Sequence, residues 1–505
     1  MIKYIHIENF RSIRNLDLSL GQINALIGRN NVGKSNIIYA IKLLLDEKWP
    51  ANAITEEDIC NYEKGLECKI ELYFDTPIIH NYYGTDLTIY GFKLTLDKSR
   101  GPSFIGIDEQ GSDVLTQYNK PISISNEIRL KVPIVYIGVD RDLARLLVQN
   151  DWGLLNKILE GLSNKSQSNN NTTEEFKLKI SAAMNVIKDD LKDIESDMET
   201  TVKEHTGVSS VSLEFKEPDL RSFYRSLGIY IKENSVFKWA PALSMGTGIQ
   251  SMVAISLIRA YRAISGSKSI LLIEEPEIYL HPHARRHFYS ILDKIAAEGI
   301  QIIYTTHSTE FVDLYNFDRV NIVNKNWEMG THVNQGRNIT VDDDSKTRIK
   351  MQTEMDNTRN ELFFSEKVFL VEGITEKNSM PYFFKLNQIN MYKENISIVD
   401  VGGKQNIIFF STILKSFKIP FVVLLDSDSD AKDLEYTQKL NEKICDHVGK
   451  DCVFFADPNL EKVLKLSVGA KDSKPRIVFD IASSLNSKNQ VPEVINSAIK
   501  KLNNI

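Results

Sequence analysis

One stretch near the start of the chain has the residue types and spacing of a phosphate-binding loop. Residues 28–35 read Gly28-Arg29-Asn30-Asn31-Val32-Gly33-Lys34-Ser35 and follow the apolar run 23–27. A glycine-rich turn presents successive backbone N–H groups to an anion, and the helix after it adds its positive N-terminal end. Lys34 would reach the outer phosphates and Ser35 would bind Mg²⁺. The pattern predicts an ATP site lined by Gly28, Asn30, Asn31, Gly33, Lys34, Ser35 and Asn36.

Later segments supply the other parts of such a site. Glu274 and Glu275 end the apolar run 270–273, and His307 follows the apolar run 300–305. Glu274 is predicted to orient Mg²⁺, Glu275 to polarise the attacking water, and His307 to sense the γ-phosphate. The two acids could instead only start a helix, and His307 could instead satisfy a hydrogen bond of the core.

A second anion cradle is predicted at Leu243-Ser244-Met245-Gly246-Thr247-Gly248, which precedes a helix over 250–262. One nucleotide needs only one cradle. Two cradles on one chain therefore indicate that each closes over the nucleotide held by a partner subunit.

A different group of carboxylates lies in the last third of the chain. Glu372 and Glu376 follow the apolar run 368–371, and Asp426 and Asp428 follow 421–425. Phosphodiester hydrolysis is served by two divalent ions about 4 Å apart, and such ions take oxygen ligands. These four acids are predicted to bind two Mg²⁺ or Mn²⁺ ions, with Glu372, Asp426 and Asp428 catalytic. The alternative is that they are ordinary loop carboxylates.

The elements that must position these residues are of the α/β type. Strands at 368–371, 396–399 and 421–425 alternate with helices over 377–386 and 406–415, which predicts a βαβαβ unit with a parallel sheet. Its strand ends would meet at one edge, where Gly402-Gly403 allows close approach. Residues 154–204 read as a helical hairpin with a polar tip at 163–173, serving a dimer partner or forming a self-contained excursion. Residues 324–344 read as a linker, with a domain boundary near 350.

Composition limits the class of protein. The chain has 505 residues, 25% charged residues, 42% hydrophobic residues and a net charge of −6. Two or three domains are therefore expected, and a generally basic DNA-binding surface is not. The four cysteines, Cys60, Cys68, Cys445 and Cys452, show no spacing typical of zinc sites or disulfides. No signal region or membrane-spanning stretch is apparent, and we expect a cytoplasmic protein.

The first 340 residues resemble the ATP-binding-cassette (ABC) ATPase heads of the RecF, SMC and Rad50 group. Ser244 and Gly246 match that group's signature loop, and the run from Glu274 to Pro282 is similar to the overcoming-lysogenization-defect (OLD) family. The chain departs from the usual cassette in having Glu274 instead of Asp, and no glutamine is assigned to the Q-loop. These departures concern the hydrolysis rate more than binding.

The C-terminal acids resemble a Toprim domain of the kind found in topoisomerases, primases and OLD nucleases. The chain has little room for a strand-passage domain and lacks the cysteines of a zinc module, so the OLD arrangement fits its length best. The resemblance implies that Glu461, in Asp457-Pro458-Asn459-Leu460-Glu461, completes the second metal site. It also implies that Lys474, with Lys471 nearby, stabilises charge on the scissile phosphate. Residues 467–505 contain six Lys/Arg and three Asp/Glu, which favours DNA locally.

The predicted fold is an α/β ATPase head of the ABC type with an inserted helical segment, followed by a Toprim domain. The predicted domains are 1–150 and 207–345 for the two ATPase lobes, 151–206 for the inserted segment and 346–505 for Toprim. The predicted function is an ATP-regulated, metal-dependent DNA endonuclease that acts as a homodimer or dimer of dimers. The alternatives are an ATP-gated DNA-binding sensor with a non-catalytic Toprim domain, or an RNA-directed nuclease. The family resemblance implies anti-phage defence and, by analogy with the Gabija system, a separately encoded helicase-like partner.

Overall fold

The structure is a computed structural model. It describes residues 1–505 except 47–48, 61–66, 98–100, 140–157, 159–173, 176–177, 185–190, 207–209, 211, 214–226, 233–237, 266–268, 279, 313–315, 337–357 and 467–473. The described residues divide into two compact units. The first contains 1–124, 273–297 and 301–505, and the second contains 125–272 and 298–300.

The strands are numbered in chain order, and their bounds are β1 Ile2–Phe10, β2 Ile13–Ser19, β3 Ile23–Ile27, β4 Cys68–Tyr82, β5 Thr85–Asp97, β6 Gly101–Ile107, β7 Ile134–Ile137, β8 Tyr230–Ile231, β9 Ala240–Pro241, β10 Ile270–Glu274, β11 Gln301–Thr306, β12 Val320–Asn326, β13 Gly330–Gln335, β14 Lys367–Val371, β15 Ile396–Asp400, β16 Phe421–Asp426 and β17 Val453–Ala456.

The helices are α1 Lys34–Leu45, α2 Pro50–Ala53, α3 Asn126–Arg129, α4 Lys192–Thr206, α5 Thr247–Ser265, α6 Pro282–Ala297, α7 Ile374–Leu386, α8 Ile407–Ser416, α9 Leu434–Val448, α10 Leu460–Val463, α11 Lys474–Ser484 and α12 Glu493–Asn504. Short 3₁₀ turns lie at Thr309–Phe311, Arg359–Phe364 and Lys404–Asn406, among other places.

A large sheet fills the N-terminal part of the first unit, with strand order β6-β5-β4-β1-β2-β13-β12-β3-β11. The outer strands β1, β2, β4, β5 and β6 pair antiparallel with their neighbours. β3 pairs parallel with both β11 and β12, and every residue of β3 and β11 is buried. A continuous apolar strand of this kind is typical of a sheet covered on both faces. The chain leaves β3 directly into the phosphate loop and α1.

The C-terminal sheet of the first unit is wholly parallel, with strand order β15-β14-β16-β17. Its core combines strand and helix side chains, including Phe369, Phe383, Val422, Ile495 and Ile499, each of which is buried. Because the strands are parallel, their carboxyl ends lie at one edge. β14 is central, so the segment after it has the ends of β15 and β16 on either side. The predicted βαβαβ unit and its parallel sheet are confirmed.

The second unit contains α3, β7, most of β10, the short pair β8–β9 and helices α4 and α5. Ile270 at the start of β10 donates its backbone N–H to the oxygen of Pro133, at 3.0 Å. Helix α4 overlaps the end of the range predicted as a helical hairpin, and the predicted polar tip at 163–173 lies outside the described residues, so the hairpin stays a prediction.

The prediction of a linker at 324–344 is wrong over its first half. β12 and β13 occupy much of this range and pair antiparallel across a tight turn, with Asn326 opposite Gly330. β13 also pairs with β2, so the hairpin is part of the large sheet. Polar residues in this range favour a loop, but the sheet accommodates them through hydrogen bonds: Thr331 is buried and donates its hydroxyl to the backbone oxygen of Val32, at 2.7 Å. The predicted boundary near 350 lies outside the described residues, and the four domain ranges stay predictions.

Candidate functional sites

The phosphate loop lies between β3 and α1, and its backbone requires glycine at two positions. Gly28 has φ +145° and Gly33 has φ +107°. A Cβ on Gly28 would lie 2.3 Å from the backbone oxygen of Val323, and one on Gly33 would lie 2.3 Å from Oγ1 of Thr331. The β12–β13 hairpin therefore presses directly on the loop. Any side chain at these two positions would displace it.

Lys34 is buried under the loop. Its Nζ donates to the backbone oxygens of Gly28, at 2.8 Å, and Arg29, at 2.7 Å. Burial lowers the pKa of Lys34 to about 8, while the carboxylates of Glu275 and Glu277 act in the opposite direction. A triphosphate that takes Lys34 as a partner must compete with the two carbonyls, and its negative charge would raise the pKa of Lys34.

The strand-end acids and the histidine lie beside Lys34. Glu275 has φ +47° and donates its backbone N–H to the backbone oxygen of Thr305, at 3.0 Å. Its Oε1 lies 3.6 Å from Nε2 of His307. Burial and the nearby Lys34 lower the pKa of His307. The structure thus places the charged groups of Lys34, Glu275 and His307 close enough to influence one another. Glu274, which precedes Glu275, is buried at the end of β10.

Glu277 is a buried member of this group that the sequence interpretation gave no role. Its Oε1 accepts the backbone N–H of His307 at 2.6 Å, and its Oε2 has no hydrogen-bond partner. Burial raises the pKa of Glu277. The signal available in the sequence was its place in the run Glu274-Glu275-Pro276-Glu277. Its contact with His307 depends on the adjacency of two strand ends, which the sequence did not specify.

The remaining nucleotide residues are placed as follows. Asn30, Asn31 and Ser35 are exposed at the loop surface, and Asn36 donates its Nδ2 to Oγ of Ser12 at 2.7 Å. Ser244 and Gly246 lie in the second unit, just before α5, where Ser244 is exposed and donates its hydroxyl to the oxygen of Pro241. Gln250 donates to the oxygens of Leu243 and Met245 and so fixes this turn.

The second site begins where β14 ends. Glu372 follows β14, and its backbone oxygen accepts the N–H of Gly403 at 3.0 Å. Glu376, in the first turn of α7, accepts the N–H of Gly373 on Oε2 at 3.0 Å. Oε2 of Glu372 is buried and has no hydrogen-bond partner. One helical turn therefore places both carboxylates at the same sheet edge, as predicted.

Two further acids reach this edge. Asp426 ends β16 and accepts the N–H of Leu460 on Oδ1 at 2.8 Å, which draws α10 and its buried Glu461 toward the strand. Burial, with the negative charges of Glu372 and Glu461, raises the pKa of Glu376 to about 7. Burial and the charges of Glu376, Glu372 and Glu461 likewise raise the pKa of Asp426 to about 7. The four residues Glu372, Glu376, Asp426 and Glu461 are called the acid cluster below.

Asp428 lies beside the acid cluster and has a cationic partner. It has φ +49°, and its Oδ2 forms an ion pair with Nζ of Lys404, a buried lysine in the turn after β15. Lys404 opposes the rise that burial causes in the pKa of Glu372, while Asp428 adds to that rise. The sequence interpretation singled out Gly402-Gly403 and did not extend to the adjacent Lys404.

The acid cluster fits a divalent cation in its chemistry. It offers hard oxygen donors, it includes a buried carboxylate oxygen without a partner, and its mutual repulsion would be relieved by positive charge. Within the described ranges, no three His, Cys, Asp or Glu side chains are already arranged to hold an ion together.

The predicted Lys474 is the first residue of α11. This helix packs on α7 through Phe479, whose ring centroid lies 5.2 Å from that of Tyr382. The role given to Lys474 stays a prediction, and Lys471 lies outside the described residues. Among the described helices, we find none that is long and apolar enough to cross a membrane.

The fold and the two sites define an ATPase domain joined to a Toprim domain, and family comparisons agree. Residues 23–313 match a family model whose description reads AAA domain and also names the AbiEii toxin of a type IV TA system. Residues 363–428 match the Toprim domain of overcoming-lysogenization-defect-like proteins. The chain belongs to this AAA-domain family, and its Toprim domain is similar to that of OLD-like proteins.

Three curated relatives are similar in sequence to most of the chain. The OLD nuclease of Thermus scotoductus is 27% identical over 100% of this chain and 99% of its own length. The Old nuclease of Escherichia phage P2 is 26% identical over 84% of this chain and 76% of its own. Endonuclease GajA of Bacillus cereus strain VD045 is 24% identical over 74% of this chain and 66% of its own length. The predicted resemblance to the OLD family is confirmed.

Among solved structures, the SMC head domain from Thermotoga maritima aligns with 66% of this chain and 98% of its own, with 15% identity and a TM-score of 0.34. A TM-score of 0.34 indicates only a weak structural similarity. The predicted fold class, an α/β ATPase domain followed by a Toprim domain, is confirmed by the family matches and the two sheets.

Proposed function

We propose that the protein is an ATP-regulated, divalent-metal-dependent DNA endonuclease whose cleavage site is the acid cluster with Asp428. The observation that carries the proposal is the burial of Glu376 and Glu461 at one sheet edge beside the partly buried Glu372 and Asp426. Gathering buried acids costs free energy, which a pure scaffold has no reason to retain. The nuclease names of three relatives support the same reaction.

The divalent ions, when bound, would generate the nucleophilic hydroxide and stabilise the departing oxygen. Glu372, Glu376, Asp426, Asp428 and Glu461 would hold them through carboxylate oxygens. The N–H bonds from Gly373 to Glu376 and from Leu460 to Asp426 leave one oxygen of each carboxylate free of that contact. Lys474 is proposed to stabilise charge on the scissile phosphate.

At the nucleotide site, we propose that the loop from Gly28 to Ser35 holds ATP with one Mg²⁺. Glu275 would polarise the attacking water, and His307, 3.6 Å from it, would respond to the γ-phosphate. Ser244 and Gly246 would close over the nucleotide of a second copy, which makes the active form a homodimer or dimer of dimers. Anti-phage defence and a helicase-like partner are proposed by analogy with the GajA relatives.

A short segment could transmit the state of the nucleotide site to the Toprim domain. Asn360 donates its Nδ2 to the backbone oxygen of Thr309, at 3.3 Å, in the turn that follows His307. The next residue back, Arg359, donates to both the backbone and the carboxylate of Asp400 at the end of β15, each at 2.9 Å. Adjacent residues therefore bond to the two domains. This arrangement supports regulation of cleavage by ATP.

The first test is cleavage of supercoiled plasmid with Mg²⁺ or Mn²⁺, with and without ATP. Wild type should nick or cut, and Glu372→Gln should lose cleavage while keeping its fold. Glu435→Gln, an exposed acid on α9 paired with Lys439, is the matched control and should cleave normally. Equal cleavage by wild type and Glu372→Gln would refute the proposed site. Cleavage of RNA in preference to DNA would change the substrate.

The alternative function is an ATP-gated DNA-binding sensor with a non-catalytic Toprim domain, against which the gathering of acids at one sheet edge argues. In that case the protein would bind DNA in an ATP-dependent way without cutting it. A gel-shift assay beside the plasmid assay separates the two: ATP-dependent binding with no cleavage under any metal would favour the sensor.

A further inference from the structure

Lys404 is a buried cation next to the acid cluster, in a turn whose backbone places it there. Gly402 has φ +69° and Gly403 has φ +126°, after which the chain enters the 3₁₀ turn Lys404–Asn406. The side chain of Lys404 is 7% exposed. A lysine is rarely buried to this extent without a charged partner, so its partners decide its role.

Lys404 lies between two predicted metal ligands. Its Nζ forms the ion pair with Oδ2 of Asp428. The adjacent Gly403 donates its backbone N–H to the backbone oxygen of Glu372 at 3.0 Å, and the charge of Lys404 acts on the Glu372 carboxylate. Lys404 therefore joins the acid that follows β14 to the acid that follows β16. These two strands are neighbours in the sheet.

The positive charge of Lys404 acts where a divalent ion bound to Asp428 would also act. An ammonium group has three donors and one charge, whereas a divalent ion brings two charges and takes several oxygens at once. The ammonium group of Lys404 and a divalent ion therefore cannot both occupy the position next to Oδ2 of Asp428. Asp428 is partly exposed, but Lys404 is buried, and a buried charge that loses its partner is left uncompensated. An ion that takes Asp428 must therefore leave Lys404 a new partner.

We propose that Lys404 is a positioning residue that acts as the resident counter-cation of Asp428 and Glu372, so that a divalent ion must compete with it for Asp428. This inference rests on the proposed function, in which the acid cluster binds divalent ions. It explains why Asp428 is held by a lysine at the site where the sequence predicted a metal ligand. A displaced ammonium group would lie within the cleavage site and could pair with a DNA phosphate.

Lys377 provides a matched control. Its Nζ pairs with Oδ2 of Asp400, at 2.8 Å, at the end of β15 on the same sheet. Arg359 also pairs with Asp400, so this ion pair belongs to a different group of charges. Replacing Lys377 removes a partly buried cation of the same type while the contacts of Lys404 remain.

The test is titration of the full chain with Mn²⁺ alone by calorimetry, together with Tm in EDTA and in Mn²⁺. Lys404→Met and Lys404→Gln should bind Mn²⁺ roughly tenfold more tightly than wild type, the size of a typical coupling between sites. Their Tm in EDTA should fall, and Mn²⁺ should raise it by more than in wild type. Lys404→Arg should behave like wild type. Lys377→Met should lose Tm equally in both conditions and keep wild-type affinity.

The outcomes separate this inference from the proposed function. Unchanged or weaker Mn²⁺ binding in both Lys404→Met and Lys404→Gln, with Glu372-dependent binding in wild type, would overturn the role of Lys404 alone. No Glu372-dependent Mn²⁺ binding in any of these proteins would overturn both. If Lys404→Met does not fold, Lys404→Gln decides, because its amide can still donate to Asp428 without carrying the charge.

Discussion

Neutralising Glu376 should make the Toprim domain more stable at neutral pH in the absence of divalent metal. Burial and neighbouring negative charge raise the pKa of Glu376 from 4.5 to about 7. The folded protein therefore holds a proton at pH values where the unfolded chain has released it. Because the folded state binds more protons, the free energy of unfolding falls as pH rises from about 4.5 to about 7.

The size of the effect follows from the shift. Raising one pKa from 4.5 to about 7 corresponds to about 3 kcal/mol of lost stability above pH 7. Glu376→Gln keeps an oxygen that can accept the N–H of Gly373 and cannot ionise. In EDTA at pH 8, the variant should be more stable than wild type by up to about 3 kcal/mol, whereas at pH 4.5 the two should be nearly equal.

The measurement must report on the Toprim domain. All four tryptophans, Trp49, Trp152, Trp239 and Trp327, precede it, so intrinsic fluorescence would follow other parts of the chain. Urea unfolding read by pulse-labelled hydrogen exchange in peptides covering β14 and β16 gives the local free energy directly. Glu435→Gln, on the exposed surface of α9, controls for loss of one negative charge.

Two results would refute this reasoning. One is a wild-type stability that stays constant or rises between pH 4.5 and 8 in EDTA. The other is a Glu376→Gln variant that follows the wild-type pH profile. Adding Mn²⁺ provides a further check, since a bound cation favours the ionised carboxylate. Wild type should then gain more stability at pH 8 than Glu376→Gln does.

Two further predictions concern the nucleotide site. Lys34→Met should weaken ATP binding about 10- to 100-fold, because it removes a charged donor worth about 1.5–3 kcal/mol. Calorimetry should show that Mn²⁺ binding at the acid cluster is unchanged in this variant. Equal ATP affinity of the variant and wild type would exclude the role of Lys34 in phosphate binding. Glu277→Ala should destabilise the ATPase domain by about 1–3 kcal/mol, because the N–H of His307 loses its 2.6 Å acceptor. Glu277→Gln retains an acceptor and should stay near wild type in thermal unfolding, so equal losses in both variants would point to packing instead.

Sequence reasoning located the elements well where short-range signals were strong. The run 23–27 followed by a glycine turn specified β3, the loop and α1, because each step has its own local cause. The alternation of apolar runs with helical spacing specified β14, β15 and β16 and therefore a parallel sheet. Parallel pairing placed Glu372 and Asp426 at one edge with no knowledge of their side-chain contacts.

Contacts between distant segments were beyond the sequence. The polar residues of 324–335 predict a linker, whereas the structure has a hairpin there that leaves room only for glycine at positions 28 and 33. Glu277 and Lys404 lie within two residues of Glu275 and Gly403, which the sequence analysis does single out. The roles of Glu277 and Lys404 depend on which strand end lies next to each of them. Glu277 contacts His307, which follows β11, and Lys404 contacts Asp428, which follows β16. Local patterns specify strands, and neighbouring strand ends specify partners.

The two lysines show how the protein prepares for charged ligands. Lys34 is bonded to two loop carbonyls, and Lys404 is paired with Asp428. In each case the buried ammonium group has partners within the chain, which avoids the high cost of an unpaired buried charge. A phosphate or a divalent ion must therefore exchange one set of partners for another. Binding energy then depends on the difference between the two sets of partners.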